Sequence, residues 1–161
     1  MGMPRGIYRG KNNSNYGKRY IQRSKIYPEL EKLTSEQVAW IAGIIEGEGS
    51  FIAEKRRNGE FATRVYASAR ITVNMTDRDV IEKLAELAGG RVNLERQKAP
   101  NRKDQWKWTF RGYENVIILT DLLRPWMFER RTGQLDHMLV VVNEVRQEVW
   151  DSTSATKVNE G

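Results

Sequence analysis

The sequence predicts a mixed α/β (α+β) domain in which an antiparallel sheet is backed by helices. Three observations carry that expectation. Helical spacing governs residues 34–46, strict two-residue alternation governs 63–74 and 105–111, and helical and extended segments follow one another as α-β-β-α-β-β-α-α. The chain has 161 residues, 39% apolar and 30% charged, which suits one domain with a real core.

Each element has its own signal. Thr34 with Gln37 three residues later forms a capping box, opening a helix that should run to about Glu46. Val38, Ile41, Ile44 and Ile45 keep helical spacing on it, and Ala39, Ala42 and Gly43 give it a small-residue surface. The segments 50–56 and 63–74 read as strands joined by Asn58-Gly59, a hairpin signal. In the second, Val65, Ala67, Ala69, Ile71 and Val73 share one face, while Arg64, Tyr66, Ser68, Arg70, Thr72 and Asn74 share the other. A second helix runs from Asp77 to Ala88 and is closed by Gly89-Gly90. Residues 90–97 and 105–111 make another hairpin, with Trp106, Trp108 and Phe110 alternating against Gln105, Lys107, Thr109 and Arg111. Helices follow at about 113–123 and 128–149, parted by Arg124-Pro125-Trp126.

The ends differ in character. Residues 1–32 read as a basic, flexible arm, 33–150 as the folded domain and 151–161 as a polar, frayed tail. The net charge of +6 is unevenly placed: residues 1–33 carry eight bases and two acids, 34–54 four acids and no base, and 55–111 fourteen bases against seven acids. A basic arm and a basic middle around an acidic segment point to a polyanion, most economically nucleic acid. Polar strand faces bearing Arg, Lys, Tyr, Gln, Thr and Asn can read base edges in a major groove, although such faces are also the ordinary solvated side of a sheet. With no cysteine there is neither a disulfide nor a thiolate site, and a single histidine, His137, excludes a histidine-rich metal centre. Any metal would need oxygen ligands, as magnesium, calcium and manganese prefer. No apolar run reaches the length of a membrane span and no secretory leader is evident, so the expected compartment is cytoplasmic, with an organellar or phage source left open.

The chemistry concentrates in residues 40–51, WIAGIIEGEGSF. Glu46 and Glu48, each followed by glycine, stand at the wrong end of a helix, because carboxylates at a C-terminus oppose the macrodipole. A divalent cation would offset that cost. Glycines at 43, 47 and 49 permit close backbone approach and unusual dihedrals, which suits paired helices delivering two carboxylates to one place. Two such carboxylates suit two-metal phosphodiester hydrolysis; ordinary loop chemistry at a helix end is the competing reading.

Residues 41–49, IAGIIEGEG, resemble position by position the nine-residue motif of the LAGLIDADG homing endonucleases, with Ile for Leu, Glu for both Asp and Gly for the second Ala. The family's αββαββα order, a saddle-shaped antiparallel sheet backed by helices, matches the layout over about residues 34–149. The resemblance implies a Mg²⁺-dependent, site-specific double-strand DNA endonuclease, with Mn²⁺ as substitute and Ca²⁺ binding without cleavage. One motif per chain implies a homodimer on a near-palindromic site, with Ala39, Ala42, Gly43 and Glu46 at the dimer interface. Glu48 then corresponds to the metal-binding acid and the Gly47 carbonyl to a second ligand. Asn74, Arg78 and Arg111 correspond to groups around the attacking water and scissile phosphate, with Lys107 as fallback for Arg111. Ser50, Ile52, Glu54, Arg56, Arg64, Tyr66, Ser68, Arg70 and Lys107 would face DNA, and Arg130 or Arg131 would touch backbone phosphate. Some members have lost cleavage, so a non-cleaving binding protein, an intron maturase or a transcription regulator, is the alternative, and intron RNA stays open as a further partner.

Overall fold

The computed structural model describes residues 25–57 and 65–158. The expected arm over 1–24 and the Asn58-Gly59 turn lie outside the described residues. Helix α1 (Ser35–Glu48) leads into strand β1 (Gly49–Arg57), followed by β2 (Val65–Met75), α2 (Arg78–Ala88), β3 (Arg91–Glu95), β4 (Gln105–Arg111), α3 (Tyr113–Leu123) and α4 (Glu129–Val158). Short 3-10 turns occupy Pro28–Lys32 and Arg124–Trp126. The four strands form one antiparallel sheet in the order β1-β2-β4-β3, so the middle strands come from different hairpins. Among the described residues no helix is long and apolar enough to cross a membrane.

The alternation read from sequence sets the two faces of the sheet. Ile71 and Val73 of β2 and Trp108 and Phe110 of β4 are fully buried, and the register puts Ile71 beside Phe110 and Val73 beside Trp108. Against them pack Ile41 and Ile45 of α1, Ile81 and Leu84 of α2, Leu119 and Leu123 of α3, and Met138 and Val142 of α4. Each fully buried side chain of this size contributes roughly 1.5–3 kcal/mol, which is why the helices all settle on one side. Gly89 and Gly90 end α2 with φ of +81° and +98°, a conformation that favours glycine. There the Gly89 carbonyl accepts a 2.8 Å hydrogen bond from the Trp108 indole N–H, fastening the turn to β4.

Three boundaries differ from the sequence expectation. α1 runs through Gly47 to Glu48 instead of stopping near Glu46, so both acids are helical. Residues 25–32, counted with the flexible arm, are fastened to the domain: Leu30 is buried, and Asn115 of α3 accepts from the Tyr27 amide and donates to the Lys25 carbonyl, each at 2.9 Å. The backbone of α4 continues through 151–158, where the sequence suggested a frayed tail. No glycine or proline interrupts the chain between 134 and 158, so only the weak helix preference of Ser and Thr opposes propagation.

Candidate active site and nucleic-acid face

The end of α1 solves its own electrostatic problem through a distant residue. The helix begins with the capping box read from sequence, Thr34 accepting from the Gln37 amide and the Gln37 side chain accepting from the Thr34 amide. Its last turn contains no basic residue. Arg131 of α4 supplies the cation. Its Nε donates to the Glu46 carbonyl at 2.9 Å and its Nη2 to the Gly47 carbonyl at 3.1 Å, while Nη1 donates to the Gln134 side chain at 2.9 Å. Arg130 adds a longer contact to the same Glu46 carbonyl, 3.3 Å. A guanidinium on the open carbonyls satisfies acceptors that an α-helix leaves unpaired and sits at the favourable end of the dipole. Burial lowers the Arg131 pKa and neighbouring Arg130 adds to that, while Glu46 and Glu48 pull the other way. Arg130 and Arg131, one or the other expected at backbone phosphate, both bond carbonyls of the motif helix. Sequence spacing offered no signal for this, because the partners are 84 and 85 residues apart.

Gly49 closes the helix with its amide bonded to the Ile45 carbonyl and an extended backbone (φ −76°, ψ 153°). The three motif glycines have ordinary negative φ, contrary to the expectation of unusual dihedrals. Gly49 is needed for closeness: a Cβ there would lie 2.5 Å from the Ile45 carbonyl oxygen. A Cβ on Gly43 or Gly47 would meet nothing within 4 Å.

Glu48 emerges exposed where α1 meets the sheet, and Glu46 is half-buried with Oε2 accepting a long 3.4 Å contact from the Phe128 amide. In register Gly49 faces Val73, so Asn74, the next residue of β2, borders the Glu48 end of the sheet. Asn74 is paired with Lys107 of β4, and its Oδ1 is buried without a hydrogen-bond partner. Arg111 lies four residues farther along β4, about 13 Å at a rise of ~3.3 Å per residue. It stands directly opposite Arg70. The register thus puts Asn74 next to the Glu48 end, sets Lys107 at the same level one strand farther in with its amine turned to Glu95 of β3, and leaves Arg111 away from it. Arg78 is exposed on α2, ion-paired with Glu82 at 2.7 Å and stacked 4.7 Å from the Trp106 ring.

The polar face of the sheet bears Ser50, Ile52 and Glu54 from β1, Ser68 and Arg70 from β2, and Lys107 from β4. Arg56 and Tyr66 are paired in its backbone register, and Arg64 lies outside the described residues. Thr72 and Thr109, facing each other at its centre, are nearly buried. Two ion pairs cross the face, Arg70 with Glu54 and Lys107 with Glu95.

Of the residues assigned to a dimer interface, Ala39 and Glu46 are half-buried and Gly43 is exposed, but Ala42 is 1% exposed inside the chain's own core. Ala42 follows Ile41 toward the sheet because Val38, Ile41, Ala42 and Ile45 form the buried stripe of α1. The outward stripe is Glu36, Trp40, Gly43 and Gly47, each exposed. Trp126 and Phe128, 47% and 74% exposed, follow in the segment whose Phe128 amide touches Glu46. The sequence analysis placed Trp126 only in the break between helices and gave neither aromatic a surface role.

A family profile described as LAGLIDADG endonuclease matches residues 41–127, more than half of the chain. The chain belongs to the LAGLIDADG endonuclease family. Solved LAGLIDADG structures share the fold at low identity. The homing endonuclease I-TnaI is 17% identical with a TM-score of 0.54, over 72% of this chain and 76% of its own. I-CvuI, in complex with the I-CreI target in the presence of Mg and with the DNA not cleaved, is 15% identical with a TM-score of 0.53, over 69% and 66%. I-GzeII, in complex with its DNA target, is 11% identical with a TM-score of 0.52, over 69% of this chain and 36% of its own. No curated protein matches the sequence.

The metal that the LAGLIDADG family implies fits the donors at the α1 end in kind but not in number. An exposed carboxylate, Glu48, and the Gly47 carbonyl are hard oxygen donors, and a carbonyl bonded to Arg131 keeps a second lone pair. Among the described residues no group of three or more acids or histidines is gathered anywhere. The remaining ligands of a magnesium ion must come from outside one chain, such as nucleic-acid phosphate, water or a second copy.

Proposed function

We propose that this LAGLIDADG protein is a site-specific double-strand DNA endonuclease that acts as a homodimer on a near-palindromic site with divalent metal. The observation that carries the reading is the end of α1. A family motif helix presents an exposed Glu48 next to Asn74 of β2 and level with Lys107 of β4, at the edge of a polar, Arg- and Lys-bearing sheet face. The exposed stripe of Trp40, Gly43 and Gly47 supports pairing of two motif helices, because without Cβ atoms two backbones approach closely. Trp126 and Phe128 extend that surface with aromatic area.

In this reading the polar face lies on DNA and its side chains fix register on the phosphates and base edges. Glu48 and the Gly47 carbonyl of each chain would hold magnesium, which would supply activation of water and neutralisation of charge on the phosphate. Arg131 keeps the Gly47 carbonyl in place. Lys107, nearer to Glu48 than Arg111 is, takes the phosphate-facing role, with the Asn74 amide beside it to orient water. Arg111 becomes a DNA contact farther out. The test is to incubate the protein with genomic fragments in Mg²⁺, map new DNA ends, and measure the protein's mass in solution. Recurrent ends at one near-palindromic sequence with a dimer mass are expected. Enrichment of one sequence by binding, with no new ends, would sustain the non-cleaving alternative instead.

A further inference from the structure

Two carboxylates on the polar face perform the same geometric task. Glu54 belongs to outer strand β1 and is paired with Ser68, yet it reaches diagonally to Arg70 two residues along, with Oε1 2.5 Å from Nη2. Glu95 belongs to the other outer strand, β3, is paired with Gln105, and reaches diagonally to Lys107 at 2.8 Å. In both cases an outer-strand acid holds a central-strand cation two residues off register.

The Arg70 site carries signs that the pair is not there for stability. Arg70 stands directly across from Arg111, an arrangement of like charges that weakens a sheet. Its Nε is buried with no hydrogen-bond partner, a cost that an isolated surface pair does not repay. With about a fifth of each side chain exposed, the pair is neither a buried structural bridge nor a free surface contact. The carboxylate nonetheless sets where the rest of the partly exposed guanidinium stands, and a ligand could reach that part.

We infer that Glu54 is a specificity-determining residue: it fixes the Arg70 fork as a reader of guanine in the DNA major groove. This rests on the DNA-binding reading above. An unrestrained arginine on a basic face is drawn to phosphate, a contact that carries no sequence information. A carboxylate on one terminal nitrogen cancels the pair's net charge, which weakens the pull of phosphate. It also holds one terminal nitrogen toward β1 by charge, while the other donors of the fork match the two acceptors of guanine, O6 and N7. Glu54 thereby converts a backbone contact into a base contact, without touching DNA itself.

The test is selection of binding sites from a pool of randomised duplexes in Ca²⁺, comparing wild type with Glu54→Gln, Arg70→Ala and Arg70→Lys. Wild type should enrich a site containing a guanine that both Arg70 variants stop requiring. Glu54→Gln should still bind, should lose about tenfold or more of its preference at that same position, and should gain about one unit in the slope of log affinity against log salt. A folding defect alone would lower affinity at every position equally. Glu54→Gln selecting the same guanine as strongly, with the same salt slope, overturns the inference while leaving DNA recognition intact. If wild type enriches no sequence at all, the DNA-binding reading falls, and this one with it.

Discussion

Removing the Arg131 side chain tests whether the motif helix depends on a cation from another element. In Arg131→Met the carbonyls of Glu46 and Gly47 lose their donors at 2.9 and 3.1 Å, and the Gln134 contact goes too. Hydrogen bonds to a charged group contribute about 1.5–3 kcal/mol each, but both carbonyls lie near the surface and water can recover part of that. The favourable interaction with the helix dipole, up to ~2 kcal/mol in partly buried sites, is also lost. The expected destabilisation is therefore about 3 kcal/mol, or roughly 10 °C in Tm for a domain of this size. Urea unfolding followed by far-UV circular dichroism measures it. Arg131→Lys keeps the charge but cannot span both carbonyls with a fork, so it should fall between wild type and Arg131→Met. A loss below about 1 kcal/mol in Arg131→Met, or a lysine variant no better than methionine, would refute the clamp.

Two further perturbations separate the roles of the motif residues from the fold. Gly49→Ala puts a Cβ 2.5 Å from the Ile45 carbonyl oxygen and should cost about 1–3 kcal/mol in urea unfolding, because backbone must shift. Gly43→Ala meets nothing within its own chain and should stabilise the monomer by up to about 1 kcal/mol, while loosening self-association in sedimentation velocity. Acid stability gives a separate check on the start of the same helix. The Glu36 carboxyl is held below its ordinary value of 4.5 by its own backbone amide and then by the Thr34 hydroxyl. A lowered folded value means its stabilisation is complete above pH 4.5 and lost as pH falls through that lower value, so Glu36→Gln should flatten the stability–pH slope on the acid side.

The elements were legible because their signals are local. Thr34 and Gln37 announce the helix start, alternation announces β2 and β4, and Gly89-Gly90 announce the end of α2. What sequence reading missed is held by long-range contacts. The clamp on α1 comes from Arg131, and the hold on residues 25–27 comes from Asn115, 88 to 90 residues away. The helix stop was misplaced for the same reason: Glu46-Gly47-Glu48 looks like a break until a guanidinium satisfies its carbonyls. Within the candidate site, Glu48 came from the motif and Asn74 from the stretch that ends β2, whereas the positions of Lys107 and Arg111 relative to that end are visible only in the strand register. Ala42 illustrates the limit of composition, since one helix carries small residues on both its buried and its exposed stripe.

The most direct test of the account is DNA cleavage by wild type and Glu48→Gln on one mapped site, in Mg²⁺, at protein concentrations that saturate binding for both. Glu48 is exposed and outside the core, so the variant should fold and bind normally. The account predicts specific double-strand breaks with wild type and a loss of about a hundredfold or more in the single-turnover rate with Glu48→Gln, the scale on which losing one element of transition-state charge stabilisation acts. Equal cleavage by both proteins would contradict the assignment of Glu48.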